Sequence, residues 1–422
     1  MKWAAALPAF GAMAAEGFAG RLTAATTRAN ASDEVYRRIG VRPFINARGT
    51  WTYLSGSLEL PGVRQAMEAA SHHFVDMFEL QRAAGKRLAE LSGAESGMVT
   101  SGAAGAMAAA TAGCMAGTDA AKVWQLPDTS GMKEEVVMLG GRSAFDSAIR
   151  LTGAKLKLIG GVEELAAAIT GQTAMIYTTF LGERLKQAVQ IAKQAGVPML
   201  LDDAAGIPPI ENLKLYASMG IDLFCFSGGK GLCGPQCSGI LLGRKRLIES
   251  ALAQCSPWEG AVCRAMKVGK EEIIGVLAAV ESWHKIDLTA LNKEWARRVE
   301  RIAKIVETVP GVETTTFVPE DGNRYPTLTV KWDEEGWNFS VADCDKKLRA
   351  GEPRIEALTA SNPSLVPAVQ EGWQGGRKIE SQPKKEANQL QIVSMTLQGG
   401  EEWVVGRRLR EVLSEAAKRR SA

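Results

Sequence analysis

The chain has 422 residues, 46 % hydrophobic and 23 % charged, which is an ordinary globular composition for about two to three domains. Its 50 basic and 47 acidic residues give a net charge of +3, too balanced for a protein whose main partner is nucleic acid. A basic run at residues 416–420 is short and lacks aromatic residues, so it is interpreted as a solvated helix end.

Cysteine usage bears on metal binding and on the cellular compartment. Seven cysteines are present, an odd number without a C-x-x-C pair, together with three histidines. This pattern argues against a zinc site and predicts reduced, buried thiols, as expected in a reducing compartment. No metal site is therefore predicted, and the predicted location is the cytoplasm.

The N-terminus carries an apolar, alanine-rich run from Trp3 to Ala15, directly after Lys2. The run is similar to the core of an export signal, yet only one charge precedes it and it lacks a twin arginine. It is also too short to span a bilayer. Residues 1–34 are predicted to form an N-terminal helix or disordered arm, and a shortened export signal remains the open alternative.

Helices and short apolar strands alternate through the next part of the chain. In chain order we predict a helix at Pro61–Leu91, a strand at Met98–Thr100, a helix at Ala104–Ala116, a strand at Val136–Leu139, a helix at Ser143–Thr152, a strand at Lys155–Ile159, a helix at Val162–Ile169, a strand at Ala174–Thr178, a helix at Arg184–Ala195, a strand at Val197–Leu201, a helix at Asn212–Met219, strands at Leu223–Phe226 and Ser238–Leu242, and a helix from Arg244. This alternation predicts an α/β fold whose mostly parallel sheet is covered on both faces. Residues 35–290 are predicted to form this large domain.

The pattern changes after a helix predicted at Ile273–Ile286. The later elements are strands at Thr314–Val318 and Thr327–Trp332, a helix at Val341–Ala350, a strand at Gln391–Met395 and a helix at Glu401–Ala417. They predict a smaller α+β domain over residues 291–422. The polar segment from Gln370 to Glu386 is predicted to be an exposed hairpin or loop.

A single lysine stands on a glycine-rich turn after a short apolar strand, in the run Phe226 to Gly231 (FSGGKG). Asp202 and Asp203 end the preceding apolar strand, with Asp202 lying 28 residues before Lys230. A lysine amine can form a Schiff base, and a carboxylate can hold a ring nitrogen protonated. Together these residues predict a pyridoxal 5'-phosphate site.

Each of these residues also has a plainer interpretation. Lys230 also fits an ordinary surface turn, although the absence of G-x-x-x-x-G-K-[ST] excludes a P-loop. Asp202 or Asp203 also fits the N-cap of a helix. Paired aspartates suit magnesium as well, but no third carboxylate lies at a matching spacing.

The run Ser101 to Gly105 (SGAAG) follows a predicted strand and opens a helix. Free backbone amides at a helix N-terminus bind phosphate well, although a helix start capped by Ser101 explains the motif equally. The spacing does not match a dinucleotide-binding G-x-G-x-x-G motif. Since ligands of parallel sheets bind beyond the strand C-termini, Ser101, Asp202 and Lys230 are predicted to meet at one edge.

A further strand ends at Gly140, and an aromatic residue follows it in the run Gly140 to Asp146 (GGRSAFD). Phe145 or Arg142 is a candidate to cover the ring of the cofactor. An ordinary core position for Phe145 is the alternative.

These residues resemble one family, the selenocysteine synthase-like branch of fold-type I pyridoxal phosphate enzymes. That branch includes seryl-tRNA selenium transferase and D-glucosaminate-6-phosphate ammonia-lyase. The resemblance covers roughly residues 35 to 415 and rests on Ile45–Thr50 (INARGT), Val99–Ala104 (VTSGAA), Asp202–Ala205 (DDAA) with Pro208-Pro209, Phe226–Lys230 (FSGGK) with Gly234–Gln236 (GPQ), and Arg264–Glu272 (RAMKVGKEE).

The resemblance implies an aspartate aminotransferase-like fold with active sites at the interface of a homodimer or larger homo-oligomer. It implies that Lys230 is the Schiff-base lysine and that Asp202 pairs with the pyridine nitrogen. The implied phosphate ligands are Ser101, Gly102, Ala103 and Ser227, with Lys267 reaching the phosphate of a neighbouring subunit. The candidates for the substrate carboxylate are Arg48 and Arg354.

The predicted activity is that of a lyase performing α,β-elimination on a β-hydroxy amino acid or an amino-sugar acid, with release of ammonia. The alternative within the family is β-replacement on seryl-tRNA, as in selenium transferase. Residues before the shared region are alanine-rich rather than basic, which favours a small-molecule substrate over tRNA. A catalytically silent binding protein of the same fold is the alternative from another class.

Overall fold

The computed structural model describes residues 33–259, 261–320, 324–359, 373–374, 377–378 and 389–419. The predicted helix or arm at the N-terminus, including the apolar run, lies outside these residues apart from its last two. Most of the predicted hairpin at 370–386 also lies outside them. Two short strands within it, at 373–374 and 377–378, pair antiparallel.

Fourteen strands are assigned in the described residues. They are β1 (Phe44–Ala47), β2 (Ser96–Thr100), β3 (Glu135–Leu139), β4 (Lys155–Ile159), β5 (Thr173–Thr178), β6 (Met199–Asp202), β7 (Leu223–Ser227), β8 (Gly239–Gly243), β9 (Glu313–Phe317), β10 (Thr327–Lys331), β11 (Arg354–Ala357), β12 (Trp373–Gln374), β13 (Arg377–Lys378) and β14 (Leu390–Val393).

The principal helices alternate with these strands. They are α1 (Pro61–Ser71), α2 (Met77–Ser92), α3 (Gly102–Ala116), α4 (Ala120–Gln125), α5 (Ser147–Arg150), α6 (Leu165–Ala168), α7 (Gly182–Ala195), α8 (Asn212–Met219), α9 (Lys245–Leu252), α10 (Lys270–Trp283), α11 (Leu288–Val306), α12 (Val341–Ala350) and α13 (Glu401–Arg419). Among the described helices, none is both long and apolar enough to cross a membrane.

Seven strands form the central sheet, in the order β2-β8-β7-β6-β5-β3-β4. Neighbouring strands pair in parallel among β4, β3, β5, β6 and β7, whereas β8 is antiparallel to both of its neighbours, β7 and β2. The predicted α/β fold with a mostly parallel sheet is therefore confirmed. The parallel arrangement brings the C-terminal ends of β3, β5, β6 and β7 to one edge.

Helices cover both faces of this sheet, as the apolar strands require. Successive side chains of a strand point to opposite faces, so Leu200 of β6 lies in one buried cluster and Leu201 in the other. Helices α3 and α9 pack on the face of Leu200, whereas α2, α7, α8 and α10 pack on the face of Leu201. Most strand residues of this sheet are consequently buried, except in the edge strand β4.

One predicted helix is wrong in its extent. The predicted helix Pro61–Leu91 is two helices, since α1 ends at Ser71 and α2 begins at Met77. The side chain of Asp76 accepts hydrogen bonds from the amides of Phe78 (2.8 Å) and Glu79 (3.0 Å), and so caps the second helix. An N-cap residue has non-helical backbone angles, which interrupts the periodic pattern at this point.

The C-terminal elements build a second core beside the sheet. Strands β14, β10 and β9 form an antiparallel sheet in that order, with α11, α12 and α13 contributing to the same buried cluster. Strand β1 pairs in parallel with β11, and its residues Ile45 and Ala47 belong to this second core. A strand from the segment assigned to the large domain therefore packs with the C-terminal elements, and the domain boundaries stay a prediction.

Candidate active site

The glycine-rich turn that carries Lys230 is closed by backbone hydrogen bonds. The amide of Cys233 donates to the carbonyl of Lys230 (3.0 Å), and the amide of Gly234 donates to Gly228 (2.8 Å). The amide of Gly228 in turn donates to the carbonyl of Ser238, the residue directly before β8 (2.7 Å). The turn is thus tied to the strand that follows it, and it holds the half-buried Lys230 in a defined place.

An aromatic ring lies beside the lysine amine. The Nζ atom of Lys230 lies 5.7 Å from the centre of the Phe145 ring, on its face. Phe145 is 56 % exposed, so the predicted alternative of an ordinary core position is wrong. An exposed aromatic ring next to a lysine amine is suited to stack on a planar ligand that the amine holds.

The loop of Phe145 is anchored by a buried aspartate. Asp146 is 1 % exposed, forms a short two-contact ion pair with Arg142, and accepts a hydrogen bond from Arg150 Nε (3.0 Å). Its carboxylate also accepts from the amide of Ser143 (3.2 Å). Arg142 is therefore committed to Asp146, which leaves Phe145 as the ring-covering candidate of the two.

The electrostatics of Asp146 give a pH-dependent contribution to stability. Burial by itself raises the pKa of Asp146, but the hydrogen bonds from Arg142, Ser143 and Arg150 outweigh burial and lower that pKa overall. A lowered pKa in the folded state stabilises the protein above the ordinary carboxyl pKa of about 4. This stabilisation is lost as the pH falls through the lowered value.

We expect Asp146→Asn to reduce the free energy of unfolding by about 2 kcal/mol at pH 7, because charge-assisted hydrogen bonds are lost. The difference from the wild type should shrink below about pH 4, as the pH falls toward the lowered pKa of the folded-state carboxylate. Thermal unfolding followed by circular dichroism at a series of pH values measures both effects. The exposed pair of Glu183 with Lys186 gives the control Glu183→Gln, which should change stability by less than about 1 kcal/mol.

Asp202 ends β6 and is held by three donors. The Tyr177 hydroxyl donates to Oδ2 (2.9 Å), whereas the Ala204 amide (3.1 Å) and the Cys225 thiol (3.7 Å) both lie at Oδ1. The carboxylate is therefore fixed in orientation and acts as an acceptor. Such a group is suited to accept a hydrogen bond from a protonated ring nitrogen.

Asp203 has a different environment, although it is the next residue. It is 6 % exposed and accepts a hydrogen bond from the Tyr216 hydroxyl (2.5 Å), so the predicted alternative of a helix N-cap does not describe its side chain. Burial raises the pKa of Asp203, only partly offset by the bond from Tyr216. The two aspartates are thus not equivalent, and only Asp202 combines a fixed orientation with partial exposure.

The start of α3 lies where the phosphate site is predicted, and its backbone geometry is suited to that role. Ser101 stands at the N-cap position without a side-chain capping bond, so the alternative that its side chain caps the helix is not supported. Gly102 has a φ of +72°, a backbone conformation that favours glycine. A Cβ on Gly239 would lie 2.7 Å from Gly102 O and 2.8 Å from Ala103 N, so this close approach also requires glycine.

Strand register brings the second predicted phosphate ligand to the same edge. Ser227 ends β7 and lies opposite Gly239 of β8, which in turn lies opposite Thr100, the residue before Ser101. Ser227 and the start of α3 therefore flank the same strand end. The predicted convergence at one sheet edge corresponds to the observed arrangement of Ser101, Ser227 and Asp202.

Three further predicted residues lie elsewhere in the chain. Arg48 is 2 % exposed and donates to the carbonyl of Ala357 (2.8 Å). Arg354 donates through Nε to the carboxylate of the buried Glu356 (2.8 Å). A substrate carboxylate bound to Arg354 would therefore share its guanidinium with Glu356. Lys267 is exposed on the segment between α9 and α10, and its reach to a neighbouring subunit stays a prediction.

Several residues that hold the predicted site residues in place have only weak signals in the sequence. Tyr177, Cys225 and Arg150 were not singled out, and Asp146 was noted only as part of a run. Tyr177 and Cys225 each lie in an apolar strand next to β6. Because a buried polar group needs a hydrogen-bond partner, a hydroxyl or thiol in such a strand is the sequence signal for a contact with a nearby polar residue.

The donor set fits pyridoxal phosphate. An amine beside an exposed ring, a fixed carboxylate at the neighbouring strand end and free amides at a helix N-terminus match its aldehyde, its ring nitrogen and its phosphate. When bound, this cofactor supplies an electron sink for reactions at the α-carbon of an amino acid.

Comparison with known proteins agrees with this geometry. Residues 162–335 match the family model Aminotransferase class-V. The chain is 33 % identical over 339 residues to 5'-C-glycyluridine monooxygenase-decarboxylase of a Streptomyces species, covering 76 % of this chain and 83 % of the relative. It is 30 % identical over 340 residues to D-glucosaminate-6-phosphate ammonia lyase of Salmonella typhimurium, covering 76 % and 89 %.

More distant and structural likenesses extend the comparison. The chain is 25 % identical to L-seryl-tRNA(Sec) selenium transferase of Aquifex aeolicus, covering 64 % of this chain and 65 % of that relative. A solved structure of D-glucosaminate-6-phosphate ammonia-lyase superposes with a TM-score of 0.72 at 28 % identity, covering 91 % of this chain and 99 % of that one.

The fold and the comparisons together define a pyridoxal phosphate-dependent enzyme of fold type I. Within this class, the chain belongs to the selenocysteine synthase-like family that includes D-glucosaminate-6-phosphate ammonia lyase. The predicted cofactor and the predicted family are thereby confirmed.

Proposed function

We propose that this enzyme is a lyase that performs α,β-elimination on a β-hydroxy amino acid or an amino-sugar acid and releases ammonia. The observation that carries the proposal is Lys230 Nζ beside the Phe145 ring, at the sheet edge where Asp202 is fixed. The 30 % identical relative is named an ammonia lyase, which supports the choice of reaction.

The proposal assigns a role to each residue of the site. Lys230 holds the cofactor covalently in the resting enzyme, and its freed amine then accepts the α-proton of the substrate as a general base. Asp202 keeps the ring nitrogen protonated, and Phe145 covers the ring. The phosphate is bound by Ser101, the amides of Gly102 and Ala103, and Ser227.

Of the two arginine candidates, Arg354 suits the substrate carboxylate better. Its side chain is 33 % exposed, whereas Arg48 is 2 % exposed and donates to a backbone carbonyl. A partly exposed guanidinium can form a two-point contact with a carboxylate and still share Glu356. Arg48 then has a structural role, in which it joins the segment after β1 to β11.

We further propose that two copies of the chain complete each site. The family resemblance supports this arrangement, in which Lys267 reaches the phosphate of the neighbouring subunit. The exposed position of Lys267 agrees with such a role. In each copy, residues 35–290 and 291–422 are proposed to form the two domains. A protein that sediments strictly as a monomer at micromolar concentration would contradict the shared site.

We place the enzyme in a reducing compartment, the cytoplasm. All seven cysteines are free thiols, and five of them are buried. Buried thiols without disulfide partners are typical of proteins that fold under reducing conditions.

The assay that tests the reaction is a screen for ammonia and 2-keto acid. β-Hydroxy amino acids and amino-sugar acids, each with and without a terminal phosphate, are incubated with the enzyme loaded with pyridoxal phosphate. We expect equimolar ammonia and keto acid from at least one of them, and none with Lys230→Ala.

Two results would redirect the proposal toward its relatives. Release of carbon dioxide with oxygen uptake and without ammonia would favour the chemistry named in the 33 % identical relative. Specific retention of tRNA that persists at moderate salt would favour β-replacement on an aminoacylated tRNA, as in the selenium transferases.

A further inference from the structure

Three neighbouring strands place polar side chains on one face of the sheet at its C-terminal edge. In the register of β5 and β6, Tyr177 lies opposite Leu200, and in that of β6 and β7, Asp202 lies opposite Cys225. Leu200 and Asp202 are two residues apart, so they point to the same face. Tyr177, Asp202 and Cys225 are therefore side by side, on the face covered by α3.

The contacts of the two carboxylate oxygens of Asp202 differ. Tyr177 supplies the hydrogen bond to Oδ2 (2.9 Å), whereas the Ala204 amide and the Cys225 thiol both lie at Oδ1. Tyr177 is 2 % exposed, so its hydroxyl has little access to water as an alternative partner. The phenol thus holds Oδ2, and together with the Ala204 amide at Oδ1 it fixes the rotation of the carboxylate about its last bond.

We propose that Tyr177 is a positioning residue, whose hydroxyl holds the Asp202 carboxylate in the orientation needed to contact the ring nitrogen of pyridoxal phosphate. The inference rests on the proposed role of Asp202 in the site. Tyr177 acts through Asp202, and Cys225 supports the same carboxylate more weakly because a thiol is a poor donor.

The chain offers a matched control on the opposite face of the sheet. Asp203 follows Asp202 and accepts a hydrogen bond from the Tyr216 hydroxyl (2.5 Å). Tyr216 also stacks on Phe226, with ring centres 5.9 Å apart, in the core on that face. Tyr216→Phe therefore removes the same kind of phenol-to-carboxylate bond one residue away, without touching Asp202.

The titratable groups near Tyr177 are Asp202, Cys225 and Asp146, and those near Cys225 are Asp202, Asp203 and Lys230. Burial raises the pKa of Tyr177 and that of Cys225, so both remain protonated donors from acidic to mildly alkaline pH. A pH-dependent change in the spectrum of the bound cofactor over that range therefore does not come from these two groups.

The test compares wild type, Tyr177→Phe and Tyr216→Phe as full-length proteins. The dissociation constant of pyridoxal phosphate is measured by equilibrium dialysis of the apoproteins, and the visible absorbance of the loaded proteins is titrated with pH. Thermal unfolding of the apoproteins controls for a general loss of stability. Cys225→Ala is the second variant, in case Tyr177→Phe fails to fold.

We expect Tyr177→Phe to raise the dissociation constant of pyridoxal phosphate about tenfold, because the charge-assisted contact between Asp202 and the ring nitrogen loses its favourable geometry. The midpoint of the absorbance titration should rise by about half a pH unit, because a less stabilised positive charge on the ring favours proton retention at the lysine nitrogen. Tyr216→Phe should leave both quantities within about twofold and about 0.2 pH units of the wild type. Cys225→Ala should act in the same direction as Tyr177→Phe with a smaller effect.

Equal changes in Tyr177→Phe and Tyr216→Phe would overturn the inference, since they would indicate a merely structural role. Unchanged affinity and midpoint in Tyr177→Phe would overturn it as well. If Tyr177→Phe does not fold, an unchanged affinity and midpoint in Cys225→Ala would overturn it. A wild-type protein that binds no pyridoxal phosphate would instead be a failure of the proposed function, so the two are distinguished.

Discussion

Lys230→Ala is expected to lower turnover by about 10³-fold or more, because the variant loses both the covalent attachment of the cofactor and the general base. Lys230 Nζ lies beside the exposed Phe145 ring, and the backbone of its turn is tied to β8. The turn does not depend on the lysine side chain for these bonds. The variant should therefore fold, and the loss should appear in kcat rather than in stability.

Turnover of the substrate found in the ammonia screen measures this effect at saturating cofactor. The matched control is Lys186→Ala, since Lys186 is an exposed lysine on α7 whose side chain pairs with Glu183. This control should retain wild-type turnover within about twofold, as expected for a surface substitution. A Lys230→Ala protein that is folded and keeps turnover within tenfold of the wild type would exclude Lys230 as the Schiff-base lysine.

Asp202→Asn is expected to lower turnover by about 10²- to 10³-fold, because the amide cannot balance a positive charge on the ring nitrogen. The substitution preserves the shape of the side chain, and the amide oxygen can still accept from Tyr177 at the position of Oδ2. Its NH2 group then faces the Ala204 amide at the position of Oδ1, so we also expect the free energy of unfolding to fall by about 1 to 2 kcal/mol. The loss of turnover at saturating cofactor is measured on the folded protein and is therefore electrostatic.

Asp203→Asn separates the two neighbouring carboxylates. Asp203 is buried and bonded to Tyr216 on the other face of the sheet, so its variant should change turnover by less than about tenfold. Steady-state kinetics of both variants at saturating cofactor give the comparison. If the two variants lose turnover equally, the assignment of distinct roles to Asp202 and Asp203 is wrong.

The central sheet could be predicted because its signals are local. Buried parallel strands appear as short apolar runs, and helices such as Asn212–Met219 have the predicted bounds. The C-terminal ends of parallel strands lie at one edge of the sheet. The order of strands and helices in the sequence was therefore enough to predict that Ser101, Asp202 and Lys230 lie at the same edge. The sequence therefore indicated which residues lie at this edge, and their contacts with the cofactor stay a prediction.

The residues that support the site depend on distant parts of the chain. The bond from Tyr177 to Asp202 requires the register of β5 against β6, which an apolar run does not reveal. The pairing of β1 with β11 joins segments about 310 residues apart and was missed for the same reason. In contrast, the contact between Arg354 and Glu356 has a local signal, since residues two apart on a strand share a face.

The identity of the lysine that holds the cofactor is the central claim, and chemical trapping tests it most directly. The enzyme is loaded with pyridoxal phosphate, reduced with borohydride, digested and mapped by peptide mass spectrometry. We expect the reduced cofactor on the peptide that contains Lys230 and on no other lysine peptide. A protein that binds the cofactor but carries the label on another lysine, such as Lys267, or carries no label, would contradict the account.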